Sequence, residues 1–401
     1  MQAHADRGLT PFDVAVIGAG CIGASIAKHL AEAGHAVVVL EKEARPAMHQ
    51  SGRNSGVIHA GYNLTPGSDK ARYCVEGSHR MRAYCRERGV PMVQSGIVVV
   101  ATEARQAPII EELLQRGRAN GVAVHRLDEQ EIRELEPAAV GVAGLHAPDG
   151  ASVDSVGYVQ ALVDDAVAAG ADVRFGVAVQ NLRDPRRIRT NRGDVTARVV
   201  VNAAGLHADR LARHVAPDLR VVPFRGDYAD LTPAARALVR SHVYAVPDPR
   251  LPFLGVHLSR RVDGTVSAGP GAMLAFGREA YRFRTLHPSD LAATLAWPGF
   301  WRMLTGAGVL SHLPGEVHKS LRLKAIWKEA RALVPALRPE HLVRGRAGVR
   351  AQVVDRQGHL VDDIVVRCSD DAVHVLNAVS PGLTCSLPFG EHVANLAAER
   401  I

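Results

Sequence analysis

Apolar residues in this chain fall into short runs cut by glycine. Residues 14–17 (Val-Ala-Val-Ile) make a run of strand length, and 24–33 carry apolar positions at helical spacing until Gly34 stops them. Residues 37–40 repeat the strand pattern. Between the first strand and the helix stands Gly18-Ala19-Gly20-Cys21-Ile22-Gly23, and Glu41 follows the second strand. The three glycines serve different ends. Gly18 permits the tight turn, Gly20 lets backbone approach a pyrophosphate, and Gly23 lets helix and strand pack closely. The helix start offers N–H groups and a partial positive charge to that pyrophosphate, and Glu41 is placed for a ribose 2′-hydroxyl. Strand, turn, helix, strand and acid in register predict a dinucleotide site in which Gly18, Gly20, Cys21, Ile22, Gly23, Glu41 and Lys42 meet the cofactor. An acid, rather than an arginine-rich stretch, after the second strand disfavours a 2′-phosphate and leaves NAD or FAD.

Further along, helical spacing covers 68–88, 106–120, 128–134 and 152–169, with Glu136-Pro137 as a stop, and β-branched strands cover 96–101 and 172–175. Residues 198–205 read as a buried strand running into a glycine turn, with a helix over 206–214. The strand–turn–helix pattern thus returns after a long excursion. This predicts a nucleotide domain assembled from 12–85, 150–215 and 345–401, with 86–149 and 216–344 forming a second domain. Residues 221–270 are strand-like and broken by Pro and Gly. Residues 286–333 are helical with interruptions at Pro298, Pro314 and Gly315, and short strands from Gly348 lead to a closing helix over 391–399. The expected class is α/β (α+β overall): a Rossmann-like dinucleotide-binding domain with an inserted substrate domain of mostly antiparallel sheet plus helices.

The segment 49–61 (HQSGRNSGVIHAG) is small, polar and punctuated by glycine. It is suited to lie against a ligand's phosphate and ring, with Ser51, Arg53, Asn54 and Ser55 at the cofactor; an ordinary surface loop is the competing reading. At 401 residues and 47% hydrophobic, the chain can bury a substantial core and form two domains. Its net charge of +7 comes mostly from scattered arginines, and aromatics are only 4%, so nucleic-acid binding is not expected. The excess suits an acidic substrate or an anionic membrane surface. Cys21, Cys74, Cys85, Cys368 and Cys385 show no metal-type spacing and are odd in number. They read as reduced thiols of a cytoplasmic protein, and no metal is expected. Residues 1–10 are polar, so no secretory signal is expected, and no apolar stretch approaches the length of a membrane span.

Longer segments carry a resemblance: SGRNSGVIH at 51–59, CVEG at 74–77, AGLHADR at 204–210, VPFRGDY at 222–228, YAVPDPRLPFLGVH at 244–257, GPGA at 269–272 and GVRAQ at 348–352. Through them the chain, from Phe12 onward, resembles the L-2-hydroxyglutarate dehydrogenase/oxidase family of the D-amino-acid oxidase superfamily. The resemblance implies FAD, a two-domain fold, and oxidation of a 2-hydroxy acid, L-2-hydroxyglutarate to 2-oxoglutarate, with oxygen or a quinone as electron acceptor. There are departures. Gly61-Tyr62-Asn63 stands where the family has Gly-Ile-Tyr-Tyr, Gly271 replaces an Asn, Ala280 replaces a Gly, and 380–385 (SPGLTC) replaces an alanine-rich stretch. They bear on the substrate more than on the cofactor. An amino acid or modified hydroxy acid of a biosynthetic pathway remains the alternative substrate, and a flavin-binding protein without turnover is a third reading.

The implied reaction removes a proton from an alcohol and a hydride from its carbon to flavin N5. It calls for cationic anchors, a base with a pKa near working pH, and a positive dipole near flavin N1/O2. Arginine forks carboxylates and stays charged. Arg225 and Arg350 sit in apolar sequence, where an arginine has a specific partner: a substrate carboxylate or an internal acid. His59 and His257 are the base candidates against structural roles. His257, closing an apolar strand over 253–256, is favoured for the hydroxyl proton, with His59 orienting substrate or flavin. Gly382, Leu383 and Thr384 precede a short helical stretch whose N–H groups suit a reduced flavin, and Cys385 reads as a buried thiol rather than a covalent flavin link. By the resemblance, Ala204 and Gly205 pack on the adenosine half and Val179 contacts adenine. The patch 297–304 (WPGFWRML), followed by Lys319, Arg322, Lys324 and Lys328, suits either a peripheral contact with the inner face of the cell membrane or the second domain's own core.

Overall fold

The computed structural model describes residues 12–182, 187–247, 255–306, 322–378 and 380–401. Residues 1–10, Phe253, Leu254, Pro314, Gly315 and Lys319, on which some expectations rested, lie outside the described residues.

The apolar runs become the middle of a six-stranded sheet. Its order is Val365–Cys368, Ala372–Asn377, Ala197–Asn202, Phe12–Ile17, Val37–Glu41, Asp172–Phe175, parallel except for the antiparallel edge Val365–Cys368. Both faces are covered, which is why these strands read as unbroken apolar runs. Val14, Val16, Val37 and Val39 face the helices Cys21–Glu32, Ser155–Ala168 and Gly382–Ala398. Ala15, Ile17, Val38 and Leu40 point the other way, under a three-stranded sheet of Val179–Asn181, Ile188–Thr190 and Gly193–Val195.

A larger sheet runs Met273–Leu274, Leu219–Leu231, Val266–Gly269, His257–Arg260, His242–Ala245, Ile97–Ala101, Ala143–Ala147, His125–Leu127. Leu342–Asp355 pairs along Leu219–Leu231. Its pairs are antiparallel except that of His242–Ala245 with Ile97–Ala101. The fold class is the expected one, α/β with a mostly antiparallel second sheet.

Local boundaries differ where tertiary contacts overrule periodicity. Residues 152–153, read as helix, belong to the strand Ala151–Val153, which pairs with Val57–Ile58 and Met92–Val93. The helix starts at Ser155, where the Asp154 carboxylate accepts from the Val156 and Gly157 amides; the cap, not the apolar spacing, decides. The helix expected over 206–214 is a single turn at Gly205–His207 and a short helix Ala208–Leu211. The long strand from Leu342 replaces short strands from Gly348. The closing helix begins at Gly382 and runs through Pro388, which reads as a breaker in sequence. It crosses Cys21–Glu32 at Gly390, where a Cβ would lie 2.2 Å from Ser25 Oγ. The aromatic patch is mostly core: Trp297, Phe300 and Met303 are buried, Trp297 donates to the Val354 carbonyl, and Trp301 is the exposed aromatic among them, at 52%. Among the described residues no helix is long and apolar enough to cross a membrane.

Candidate active site

A cavity of about 1040 Å³ runs from the fingerprint turn to the inner face of the large sheet. At its first end Gly18 has φ +101°, and an added Cβ would lie 2.7 Å from the Ala203 carbonyl oxygen. At Gly23 a Cβ would lie 2.0 Å from the Gly18 carbonyl oxygen, so this helix packs on its own turn as closely as backbone allows. The Cys21 amide donates to Ser51 Oγ at 2.9 Å, and no acidic side chain occupies the helix's first turn. Glu41 is buried and accepts from the amides of Ala19 (2.7 Å) and Glu43 (2.9 Å), which leaves lone pairs for a ribose hydroxyl. A helix start without a neutralising acid, beside a carboxylate with spare acceptor capacity, fits a dinucleotide's pyrophosphate and ribose.

Ile22, Gly20, Lys42, Val179, Ala204 and Gly205 line this same end. Ser51, Arg53, Asn54 and Ser55 line the middle, although their polar atoms are largely spent on the protein. Asn54 donates to the carbonyls of Gln50 and Ser51 and accepts from the Gly56 amide, so it staples its own loop. Arg53 donates to the Met48 carbonyl and lies 4.0 Å over the Tyr281 ring. Gly382, Leu383 and Thr384 line the cavity from the first turn of the closing helix, and Thr384 Oγ1 accepts from the His59 amide at 3.1 Å. Gly77 makes room for that turn: a Cβ there would lie 2.1 Å from the Thr384 carbonyl oxygen. Cys385 is not on the wall; it is buried beside Cys74, whose thiol, with burial, raises its pKa well above the ordinary value. The Cys21 thiol is pushed up to about 11, mainly by burial.

Three of the four catalytic candidates meet at the far end. His59, His257 and Arg350 line the cavity; Arg225 does not. The reason is strand alternation. Gly226 and Tyr228 face the cavity from Leu219–Leu231, so Arg225 and Asp227 fall on the opposite side. There Arg225, 2% exposed, pairs with Asp227 Oδ2 at 3.1 Å and packs on Phe283. His257 opens the strand His257–Arg260 rather than closing one. Burial holds its ring at about 3, against the raising effect of the Gly255 carbonyl, which Nδ1 meets at 3.2 Å. Burial likewise lowers His59 to about 4. Both rings are therefore neutral near pH 7, and their basicity lies well below that of a base matched to neutral pH.

Sequence reasoning missed Tyr244 and Tyr228. The Tyr244 ring stands 4.2 Å from His257 and 6.4 Å, edge-on, from His59, and Tyr228 reaches Ser55 and feels the charge of Arg350. The signal available was scarcity: with so few aromatics, a tyrosine inside a strand of the second sheet was worth a question. Glu43, His49 and Glu279 bring three ligand-type atoms within 4.8 Å of one another, but the Lys42 ammonium already lies 2.5 Å from Glu43 and 2.7 Å from Glu279.

Residues 13–396 match the FAD dependent oxidoreductase (DAO) family. The chain is 38% identical over 398 residues to an L-2-hydroxyglutarate dehydrogenase of Indibacter alkaliphilus, covering 97% of this chain and 99% of that one. It is 36% identical over 395 residues to the L-2-hydroxyglutarate dehydrogenase of Escherichia coli, covering 96% and 92%. The fold matches the L-alpha-glycerophosphate oxidase of Mycoplasma pneumoniae with FAD bound, at a TM-score of 0.77 and 24% identity over 97% of this chain and 95% of that one. Fingerprint, cavity and near-full-length relatives agree, and the chain belongs to the DAO family of FAD-dependent oxidoreductases.

Proposed function

We propose that this enzyme oxidises L-2-hydroxyglutarate, or a close 2-hydroxy dicarboxylate, to the 2-oxo acid. Identity of 36–38% along nearly the whole chain to two L-2-hydroxyglutarate dehydrogenases carries the reading. The geometry supports it, because the dinucleotide slot continues into a pocket holding one cavity-facing arginine from the second sheet and two neutral imidazoles. Arg350 forks a substrate carboxylate. His257 takes the hydroxyl proton, Tyr244 fixes its ring by packing, and His59 orients the substrate. Bound FAD supplies the acceptor for the hydride leaving C2. The first turn of Gly382–Ala398 presents backbone N–H groups at the cavity where negative charge accumulates. Arg225 has no part in holding the substrate.

The test is anaerobic flavin bleaching with L- and D-2-hydroxyglutarate, L-malate, L-lactate and L-glutamate, with product analysis. L-2-Hydroxyglutarate should bleach fastest and yield 2-oxoglutarate in one-to-one ratio to flavin. Faster bleaching by L-glutamate or by a monocarboxylate overturns the reading. Reoxidation by oxygen or by a soluble quinone then identifies the acceptor.

A further inference from the structure

Residues 277–281 join the strand Met273–Leu274 to the helix Pro288–Leu295 and reach across to both walls of the dinucleotide slot. On one wall, Arg278 forms a buried ion pair with Asp209 and donates to the Leu206 carbonyl, and its amide donates to Asp290 Oδ2 at 2.8 Å. Glu279 Oε1 meets His207 Nε2 on that wall at 2.8 Å and Lys42 Nζ on the opposite wall at 2.7 Å. Next to it the Tyr281 hydroxyl meets His49 Nδ1 at 2.5 Å, with the Arg53 guanidinium over its ring. Lys42, His49, His207 and Glu279 all line the cavity. The two walls are distant stretches of chain, one following Glu41 and one following Gly205, and they also approach at Gln50, whose Oε1 lies 3.0 Å from the Cβ position of Gly205.

We propose that this segment is a strap that retains FAD in its slot, with Glu279 as the positioning residue that ties the two walls together. The inference rests on FAD as cofactor and not on the choice of substrate. Electrostatics alone argues the opposite sign. Glu279 is an anion at the edge of a site for a pyrophosphate, so removing its charge should slow FAD release if charge were its only effect. A strap predicts faster release, because the contacts to both walls lose their charge assistance together, an amide oxygen accepting more weakly than a carboxylate. Lys42 also meets Glu43 at 2.5 Å and His49 at 2.9 Å, so other partners stand beside it when Glu279 is replaced, and partly exposed pairs of this kind add little to folding.

The experiment is FAD release from purified holoenzyme on dilution, followed by recovery of free flavin fluorescence, with circular dichroism to check folding. Glu279→Gln should release FAD about tenfold faster than wild type, the loss expected when a charge-assisted hydrogen bond is replaced by one to a neutral acceptor. Tyr281→Phe, which deletes only a hydroxyl, should release it faster to a smaller degree and serves if Glu279→Gln does not fold. Glu43→Gln removes a charge from the same lysine and from His49 (2.9 Å) without touching His207, and should speed release less than Glu279→Gln. A Glu279→Gln rate at or below wild type, or a Glu43→Gln rate matching it, overturns the proposal. The readout contains no substrate, so it stands or falls apart from the reaction proposed above.

Discussion

Gly23→Ala puts one methyl group where the structure has a carbonyl oxygen. The new Cβ would lie 2.0 Å from the Gly18 oxygen and 3.4 Å from the Ala203 Cβ, whereas real Cβ atoms essentially never come closer than 3.0 Å. At least 1.0 Å of movement is therefore required, and it cannot come from a side chain. Gly18 is held by its amide on the Leu40 carbonyl at 2.9 Å and by the Ala203 carbonyl on its other side. The helix start must move instead, and with it the N–H groups that face the pyrophosphate. Losing one hydrogen bond to a charged group costs about 1.5–3 kcal/mol, so FAD should bind roughly ten- to a hundredfold more weakly. Overpacking adds about 1–3 kcal/mol to the cost of folding. Flavin titration of apoprotein gives the affinity, and urea unfolding gives the stability. Gly306→Ala is the control: among the described residues nothing lies within 4 Å of its Cβ position, so affinity should stay at wild type and stability should not fall. Wild-type affinity in Gly23→Ala would refute the placement of the cofactor.

Arg350→Lys should raise the KM for the dicarboxylate by about ten- to a hundredfold, because an ammonium cannot fork a carboxylate; an unchanged KM would make Arg350 a structural ion-pair partner. His257→Ala should keep FAD yet lose about 10² to 10⁴ in the rate of flavin reduction, more than His59→Ala, as stopped-flow measurement will show. Since burial holds both rings at about 3 to 4, kcat/KM should stay level down to about pH 4 and fall only below it; a fall centred near 6.5 would mean the base is a solvated imidazole. His242 and His374 lie off the cavity and are held at about 3 and about 4 by burial. A folded-state pKa below the unfolded 6.5 gives stability that is full above pH 6.5 and lost as pH falls toward those values, so the urea midpoint should drop steadily from pH 6.5 to 4. A flat midpoint over that range would contradict the burial argument.

The dinucleotide fingerprint could be read from residues 14–41 because its strand, turn and helix are made by neighbours in sequence. A glycine is required where a Cβ would strike a carbonyl a few residues away, and the apolar period sets strand and helix without help from the rest of the chain. The family segments extended the reading to the loop 51–59 and to Arg350 and His257. Period-two alternation says that Arg225 and Tyr228 fall on opposite faces, yet not which face meets the cavity; only the pairing of Leu219–Leu231 with Leu342–Asp355 and Val266–Gly269 decided that. The same limit hid the strand Ala151–Val153, whose partners lie elsewhere in the chain, and the start of the closing helix, which carries Pro388 and packs through Gly390 onto Ser25. It hid the strap most completely, since Glu279 finds His207 across 72 residues and Tyr281 finds His49 across 232. Periodicity and backbone sterics act between neighbours in sequence, whereas burial, ion pairing and the lowered basicity of His257 exist only after distant segments have excluded water together.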